Sequence, residues 1–328
     1  MKAVRAHAFA PRAALVLEEA PAPQAGPGQV VIAVQACGVN FLDGLIVEGK
    51  YQTRPSLPFS PGAEVAGVVK ESGEGVTGLS HGTRVLAVTG FGGYAEEVVA
   101  DAAMVMPVPE SMDLATAACF PIVYATSLHA LRSRAQLAAG ETLLVLGAAG
   151  GVGLTAVEIG KLLGARVIAA ASTPGKLALC QEYGADALIN YADGTLREQL
   201  KELTGGKGVD VVYDPVGGSY AEPAVRSLGF LGRYLAIGFA SGEIPKVPLN
   251  LLLLKQAAVI GVFWGAYARA RPQEAREDFA QLFAWYGAGR LRPHLSQRFP
   301  LAKFHEALET VMQRRATGKV ALLIAPGT

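Results

Sequence analysis

The chain has 328 residues, of which 51% are hydrophobic and 17% charged, and its formal net charge is +1. This length allows two ordinary domains, and the composition is that of a folded, soluble protein. A charge so close to zero gives no electrostatic case for a nucleic-acid partner or an anionic membrane. The apolar runs fall short of the roughly 20 residues of a membrane span, and we expect no signal peptide.

The three cysteines, Cys37, Cys119 and Cys180, are far apart in the sequence, and no CxxC pair occurs. An odd number of isolated cysteines implies no disulfide framework, which suits a reducing compartment. We therefore expect a cytoplasmic protein.

The first third of the chain is rich in valine, glycine and proline and contains short strand-like runs. The N-terminal stretch predicts strand, turn and strand, and the runs QVVIAVQACGV, EVAGVVKESG, RVLAVTG and YAEEVVAD follow it. Turn-forming stretches such as ESGEGVTG separate these runs. The pattern predicts an antiparallel, barrel-like β domain.

From about Ala115 the pattern changes, because strand-length apolar runs now alternate with helix-length amphipathic segments. This alternation indicates βαβ units and a parallel sheet. The apolar run AAVIGVFWG closes the region, two helical stretches follow, and KVALLIA forms a final strand. Strands are predicted over 142–146, 166–170, 210–213 and 234–237, and the two late helices near 273–286 and 302–315.

One helix start in this region is well marked. Thr173 is a suitable N-cap, Pro174 would occupy the first helical position, and Gly184 would follow the last turn.

Residues 147–153 read Gly-Ala-Ala-Gly-Gly-Val-Gly, after a buried-strand pattern and before a helix. Glycines at 150 and 151 allow the backbone to approach a pyrophosphate, and Gly153 lets the helix lie close to the strand. Tight strand-to-helix turns also use glycine for steric reasons alone. With a second strand at the right distance, dinucleotide binding is the better interpretation.

The residues after the second strand indicate which dinucleotide is bound. An acid there would accept hydrogen bonds from the ribose 2′-hydroxyl of NAD, but the sequence is AASTPGK. Two hydroxyl side chains and Lys176 stand in its place, and lysine is a good partner for phosphate. Taken alone, Lys176 would be better interpreted as a solvated surface lysine. Together the residues favour NADPH over NADH.

At this point the chain resembles the zinc-free quinone oxidoreductases, the zeta-crystallin-like branch of the medium-chain dehydrogenase/reductase superfamily. The likeness extends over nearly the whole chain and is strongest in these segments: ACGVNFLDGLIVEGKY, LPFSPGAEVAGVV, GGYAEEVV, GAAGGVG, LINY, VVYDPVGG and RRATGKV. The resemblance implies an α/β protein with a GroES-like β-barrel catalytic domain (1–121 plus 267–328) and a Rossmann doubly wound cofactor domain (122–266).

The resemblance also implies roles for individual residues. The pyrophosphate would be cradled by Ala149, Gly150, Gly151 and Val152. The 2′-phosphate would be surrounded by Ser172, Lys176, Tyr191 and Arg315. The nicotinamide carboxamide would be met by Thr126 and by the backbone around Phe263, and Phe239 would line the cofactor cleft. The acceptor pocket would be bordered by Asn40, Asp43 and Tyr51.

Several of these residues have a plainer interpretation. Tyr191 could be a surface tyrosine, and Arg315 could simply pair with a helix C-terminus. Asn40 could only brace a turn, and capping and pocket roles are equally good interpretations of Asp43. Tyr51 is the candidate general acid, although a phenol with an ordinary pKa of about 10 is a weak one.

Zinc alcohol dehydrogenases of this superfamily carry Cys and His ligands at positions that correspond here to Asn40 and Ala63, with Glu64 retained. The run of four closely spaced cysteines that binds structural zinc is also missing. Cys37 is nearby, but a buried packing thiol is its better interpretation. We therefore predict no metal.

Without a Lewis acid, this fold suits the reduction of polarised double bonds rather than the oxidation of alcohols. We predict NADPH-dependent reduction of quinones or similar α,β-unsaturated carbonyl compounds. One alternative is an enoyl-thioester reductase, although no basic cluster suggests a CoA site. The alternative of another class is a non-catalytic, crystallin-like NADPH-binding protein. Some relatives bind RNA, but the near-neutral charge argues against RNA binding here.

The apolar run at 257–265 predicts a homodimer through an edge strand, unless a helix covers that edge.

Overall fold

A computed structural model describes residues 1–324 of the chain. These residues form two compact units. Unit 1 comprises Met1–Ile122, Ala268–Ala288 and the segment from Arg292 onward, and unit 2 comprises Val123–Tyr267 and Gly289–Leu291. The breaks at 122 and 267 lie one residue from the boundaries that the resemblance implies. Within the described range, no helix is both long and apolar enough to cross a membrane.

The strands are β1 (Lys2–Arg5), β2 (Val16–Glu19), β3 (Gln29–Val39), β4 (Glu64–Ser72), β5 (Arg84–Val88), β6 (Glu97–Asp101), β7 (Val105–Pro107), β8 (Thr142–Leu146), β9 (Arg166–Ala171), β10 (Ala187–Asn190), β11 (Val209–Asp214), β12 (Leu228–Ala236), β13 (Ala258–Gly261), β14 (Leu295–Pro300) and β15 (Lys319–Leu323). The helices are α1 (Phe41–Val47), α2 (Leu114–Ala118), α3 (Pro121–Leu128), α4 (Gly151–Leu162), α5 (Pro174–Glu182), α6 (Leu196–Leu203), α7 (Ala221–Arg226), α8 (Leu249–Lys255), α9 (Trp264–Ala270), α10 (Pro272–Gly287) and α11 (Phe304–Met312).

Unit 2 is built on a six-stranded sheet in which every neighbouring pair is parallel. The strand order is β10-β9-β8-β11-β12-β13. Counted from the first strand of the unit, this is the order 3-2-1-4-5-6 of dinucleotide-binding folds. The prediction of a Rossmann-type parallel sheet is therefore confirmed.

The inner strands of this sheet are almost entirely apolar because parallel strands are covered on both faces. Leu143–Leu146 of β8 are fully buried, and β8 has the predicted bounds. Strand β12 starts at Leu228, six residues earlier than predicted. The prediction missed this first part of the strand because Gly229 and Gly232 interrupt its apolar pattern. Helix α5 begins at Pro174 with Thr173 as its N-cap, and Gly184 follows it with a φ of 97°, as predicted.

Unit 1 contains a seven-stranded sheet in the order β14-β15-β3-β4-β5-β7, with β6 also paired to β3. All pairs except β14–β15 are antiparallel, so the prediction of an antiparallel β domain holds for most of the sheet. Strand β14 was not predicted because its sequence, LSQRFP, is polar and largely exposed. The 11-residue β3 carries the core of this unit.

The two late helices are observed, with one shorter than predicted. Helix α10 extends one residue beyond the prediction at each end. Helix α11 ends at Met312 instead of 315, because Arg314 adopts a left-handed conformation with a φ of 57°. A 3₁₀ turn over Leu301–Lys303 precedes the helix and delays its start.

Candidate active site

The ligand-binding edge of unit 2 lies where the strand order reverses, between β8 and β11. In open parallel sheets, ligands bind at the carboxyl ends of the strands on either side of this point. The glycine-rich turn 147–153 follows β8, and the loop 215–218 follows β11. A Cβ atom on Gly147 would lie 2.9 Å from Cγ2 of Val216, so the two loops are in close contact.

The glycine-rich turn fits a dinucleotide pyrophosphate. Gly150 is the N-cap of α4, so the next residues begin the helix with amides that lack intrahelical acceptors. A Cβ on Gly153 would lie 2.3 Å from the Gly147 carbonyl oxygen, so only glycine lets the helix start this close to the turn. Ala149 is buried, whereas Gly150, Gly151 and Val152 are partly exposed.

A buried hydroxyl network fixes the start of α4. Ser127 Oγ lies 2.8 Å from Thr155 Oγ1 and 2.9 Å from the Tyr213 hydroxyl, and it donates to the Val152 carbonyl at 3.1 Å. The neighbouring Thr126, predicted to meet the nicotinamide, is half-buried on α3. Sequence reasoning missed Ser127, because a hydroxyl beside Thr126 gives no sign of partners 28 and 86 residues away.

Asp214 is a second residue that sequence reasoning missed, although VVYDPVGG carried part of the resemblance. Its Oδ1 accepts the backbone amides of Val216 at 2.6 Å and Gly217 at 2.9 Å, and its Oδ2 accepts the Tyr234 hydroxyl. Burial raises the pKa of Asp214, which these hydrogen bonds oppose. The carboxyl group therefore holds the loop at the ligand-binding edge.

The structure places Ser172 and Tyr191 directly after the carboxyl ends of two neighbouring strands, β9 and β10. Ala171 of β9 pairs with Asn190 of β10, so Ser172 and Tyr191 both directly follow the last paired residues. Thr173 Oγ1 accepts the Lys176 amide at 3.4 Å, which sets Lys176 in the first turn of α5. This arrangement brings together three of the four residues predicted around the 2′-phosphate.

Tyr191 is buried, and its ring centroid lies 4.5 Å from that of Tyr220, so its interpretation as a surface tyrosine is wrong. Arg315 is exposed and lies in unit 1, just after α11, where its amide donates to the Thr310 carbonyl at 3.1 Å. Its role at the 2′-phosphate stays a prediction.

Phe239 and Phe263, predicted along the cofactor, follow the carboxyl ends of the neighbouring strands β12 and β13. Both rings are exposed, to 39% and 49%. A Cβ on Gly217 would lie 2.9 Å from Cδ1 of Phe239, so this ring packs over the loop that Asp214 holds.

In unit 1, the predicted acceptor residue Asn40 belongs to a buried polar cluster. The ammonium of Lys319 lies 2.8 Å from Glu64 Oε1 and donates to Asn40 Oδ1 at 2.6 Å. Glu64 Oε1 also accepts the Asn40 side-chain amide at 2.9 Å. Burial lowers the pKa of Lys319, but Glu64, Cys119 and Asp43 together outweigh this effect, and the pKa is raised overall.

Asp43 is fully buried and sits in the first turn of α1. Its Oδ2 accepts the Asn40 backbone amide at 2.8 Å and the Tyr94 hydroxyl at 3.1 Å, whereas its Oδ1 finds no hydrogen-bond partner among residues 1–324. Burial raises the pKa of Asp43 to about 7, despite the opposing hydrogen bond from Asn40 and the charge of Lys319. The capping contact is therefore present, and a pocket role stays a prediction.

Tyr51 is partly buried in the same unit. Burial raises the pKa of its phenol, and Arg269 only partly offsets the effect. A phenol with a raised pKa is a poorer proton donor at neutral pH. The structure therefore weakens the case for Tyr51 as a general acid.

Asp43→Asn is expected to remove a pH-dependent loss of stability. In the folded protein the pKa of Asp43 lies above its ordinary value of 3.8, so the folded state holds the proton more tightly. The free energy of unfolding should therefore fall as the pH rises from about 4 to about 7, by at most about 4 kcal/mol. Asparagine can accept the same two hydrogen bonds without charge. Urea unfolding at pH 5 and pH 8 should show that the free energy of unfolding falls less between these pH values in Asp43→Asn than in the wild type. Equal falls in the two proteins would contradict the raised pKa of Asp43.

No group of three or more His, Cys, Asp or Glu side chains in the part of the chain that the structure describes could hold a metal ion. Both oxygens of Glu64 accept protein donors, because Oε2 also accepts the Ile122 amide at 2.9 Å. The absence of a metal stays a prediction.

Comparison with known proteins agrees with this architecture. Residues 151–285 match the family model for zinc-binding dehydrogenases, and residues 26–110 match that for the alcohol dehydrogenase GroES-like domain. The chain is 40% identical to bovine quinone oxidoreductase-like protein 2 over 94% of its own length and 88% of the relative's. It is 32% identical to human quinone oxidoreductase, covering 99% and 98% of the two chains.

Solved structures agree. The quinone oxidoreductase of Escherichia coli, complexed with NADPH, aligns with a TM-score of 0.92 at 29% identity, covering 98% of this chain and all of that one. The quinone oxidoreductase of Thermus thermophilus, also solved with NADPH, aligns with a TM-score of 0.84 at 36% identity over the same shares. Fold and site together define an oxidoreductase of the medium-chain dehydrogenase/reductase class. Within that class, the chain belongs to the quinone oxidoreductase family.

Proposed function

We propose that the protein uses NADPH to reduce quinones, or closely similar α,β-unsaturated carbonyl compounds, without zinc. The observation that carries the proposal is the end of β9, where Ser172 stands beside Tyr191 and Lys176 lies one helical turn on. An acid that would favour NAD is absent from this stretch. NADPH-bound structures of quinone oxidoreductases with the same fold support the assignment.

The donor set of unit 1 does not fit a catalytic zinc. Catalytic zinc needs three good ligands and an open position, and Asn40 and Ala63 supply neither thiolate nor imidazole. Glu64, the remaining carboxylate, already accepts hydrogen bonds at both oxygens and pairs with Lys319.

The bound nicotinamide would supply a hydride to the acceptor. In unit 2, the first amides of α4 would hold the pyrophosphate, and Ser172, Lys176 and Tyr191 would hold the 2′-phosphate. Thr126, Phe239 and Phe263 would orient the nicotinamide. These residues position the cofactor and exclude water, which is the main contribution that a protein makes to hydride transfer.

In unit 1, the segment from Asn40 to Tyr51 would border the acceptor. Reduction of a quinone or enone also consumes a proton, which water or a weak acid can supply. Asp43, with a pKa near 7, can hold a proton at neutral pH, and the Tyr51 phenol is electrostatically coupled to it. Neither residue is assigned as an obligatory acid.

The acceptor class is tested by the loss of nicotinamide absorbance at saturating NADPH. The panel contains benzoquinone, a naphthoquinone, a simple enone and crotonyl-CoA. We expect the largest kcat/KM for the quinones. Turnover of the enone alone would change the assigned substrate class from quinones to enones. Preference for crotonyl-CoA would support the alternative of an enoyl-thioester reductase. NADPH binding with no turnover of any acceptor would favour the non-catalytic alternative.

We also propose a cytoplasmic homodimer. Strand β13 is the outer strand of the parallel sheet in the described residues, and Val259 on it is exposed. Nearby on α8, Leu249, Leu253 and Leu254 are each more than 70% exposed. An apolar sheet edge of this kind invites pairing with a second copy. Light scattering should give twice the chain mass of 34.1 kDa, and a monomer would contradict the proposal.

A further inference from the structure

Unit 1 contains a buried ion pair to which the proposed reaction gives no role. Lys319, the first residue of β15, is only 7% exposed, and Glu64, the first residue of β4, is fully buried. Buried ion pairs contribute little net stability, and apolar residues of similar volume often replace them without loss. A role in setting geometry would account for its presence better than stability does.

The ammonium of Lys319 has no donor left for a ligand. A protonated lysine carries three N–H groups. In this structure, they meet three acceptors: Glu64 Oε1 at 2.8 Å, Asn40 Oδ1 at 2.6 Å and the Val39 carbonyl at 3.0 Å. Any influence of Lys319 on the acceptor site therefore passes through these partners.

These contacts fix the Asn40 side chain in one orientation. An ammonium cannot accept a hydrogen bond, so the atom that faces Lys319 must be the amide oxygen. The side-chain nitrogen of Asn40 then donates to Glu64 Oε1 at 2.9 Å and to the Gly38 carbonyl at 3.2 Å. Both of its hydrogens are used, so Asn40 has no side-chain donor left for an acceptor molecule.

The same residue also holds Asp43. The Asn40 backbone amide donates to Asp43 Oδ2, which leaves Oδ1 buried and without a partner in the described part of the chain. The path from Lys319 through Asn40 to Asp43 is thus continuous in hydrogen bonds. A Cβ on Gly38 would lie 2.5 Å from Glu64 Oε1, so a glycine is needed at that position for the cluster to close.

We propose that Lys319 and Glu64 are positioning residues of the acceptor site: their ion pair orients Asn40 and, through it, sets the position and protonation of Asp43. The inference rests on the proposed function, in which the segment from Asn40 to Tyr51 borders the acceptor. It changes the role of Asn40 from a direct acceptor ligand to the link between the ion pair and Asp43.

The charges around Asp43 give this proposal a signature that a structural brace lacks. The ionisable groups that face Asp43 are Lys319, Glu64, Tyr94, Cys37 and Tyr51. Lys319 favours the ionised carboxylate and Glu64 disfavours it. Removing one charge of the pair should therefore move the titration of Asp43 one way, and removing the other should move it the opposite way.

The test uses the full-length protein with Lys319→Met, Lys319→Arg, Glu64→Gln and the double variant Lys319→Met/Glu64→Gln. Lys70→Met is the matched control, because Lys70 lies on β4 with Glu64 but pairs with Glu97 at the surface. Aspartate ¹³Cγ resonances are followed between pH 4 and pH 9, and Asp43 is assigned by the signal that Asp43→Asn lacks. Quinone turnover and NADPH binding are measured on the same samples.

We expect Lys319→Met to raise the Asp43 titration midpoint, Glu64→Gln to lower it, and the double variant and Lys319→Arg to stay near the wild type. Lys319→Met should lower kcat for quinones about 10- to 100-fold, with NADPH affinity within about twofold of the wild type. The double variant keeps the test valid if a single variant does not fold, because it leaves no unpaired buried charge. Its kcat should also be reduced about 10-fold, since nothing then orients Asn40.

Asp43 midpoints that coincide in Lys319→Met and Glu64→Gln would overturn the inference, as would an unchanged kcat in Lys319→Met or in the double variant. If the wild type reduces no quinone, the proposed function fails. The opposite shifts of the Asp43 midpoint would still support the control of Asp43 by the ion pair, and their absence would still overturn it.

Discussion

Gly153→Ala is expected to weaken NADPH binding at least 100-fold and to destabilise unit 2 by about 3 kcal/mol. The added Cβ would lie 2.3 Å from the Gly147 carbonyl oxygen and 2.8 Å from Cα of Ala148, distances that Cβ atoms essentially never show. Both neighbours are backbone atoms of the glycine-rich turn, so relief of the clash requires α4 to move away from the turn. Because the first amides of α4 would hold the pyrophosphate, affinity should fall together with stability. NADPH fluorescence titration and urea unfolding measure the two effects.

Substitutions at two other glycines distinguish the loss of NADPH affinity from the loss of stability. Gly287→Ala, near the end of α10, places its Cβ in open space and should leave both measurements unchanged or raise stability slightly. Gly150→Ala brings a Cβ within 3.3 Å of the Gly147 carbonyl oxygen, a contact that a small shift relieves. It should fold and still weaken NADPH binding, because its methyl group would meet the pyrophosphate. Wild-type affinity in both Gly150→Ala and Gly153→Ala would contradict the placement of the cofactor.

Lys176→Glu is expected to lower kcat/KM for NADPH about 100- to 1,000-fold and to leave kcat/KM for NADH within a few-fold. The substitution removes a cation from the first turn of α5 and puts a carboxylate there, beside Ser172 at the end of β9. A carboxylate repels the 2′-phosphate but tolerates the ribose hydroxyls of NADH. The measurement is quinone-dependent oxidation of each cofactor over a range of concentrations.

Lys201→Glu makes the same charge change on an exposed position of α6 in the same unit, and it controls for the altered net charge. In this variant, we expect the ratio of kcat/KM for NADPH to kcat/KM for NADH to stay at the wild-type value. An unchanged ratio in Lys176→Glu would mean that the 2′-phosphate is held elsewhere. Equal losses in the two variants would point to a long-range charge effect.

The features of the fold that sequence could predict are the ones encoded locally. The strand β8, the turn 147–153 and the start of α5 depend on apolar runs, glycines and a capping threonine that are adjacent in the chain. The prediction was weaker where glycines interrupt a strand, as in β12, or where a strand is polar, as in β14. In both cases, pairing with a neighbouring strand outweighs the local preference.

The candidate site was predicted only in part, for the same physical reason. Ser172 was predicted because it follows a recognisable strand, whereas Tyr191 was predicted only through the resemblance, and the roles of both stay predictions. Lys319 and Glu64 were not predicted as a pair, since 255 residues separate them and the antiparallel pairing of β3 with both β4 and β15 brings them together. The one available sequence signal was a lysine, Lys319, in an otherwise apolar strand. That signal does not identify an ion pair until the partner of the lysine is known.

The most direct test of the account compares NADPH with NADH as donors to benzoquinone, using wild-type protein that has been dialysed against a chelator and assayed for metal content. We predict quinone turnover by the metal-free protein, with kcat/KM for NADPH at least 10-fold above that for NADH. Turnover that needs added zinc, or that favours NADH, would contradict the account.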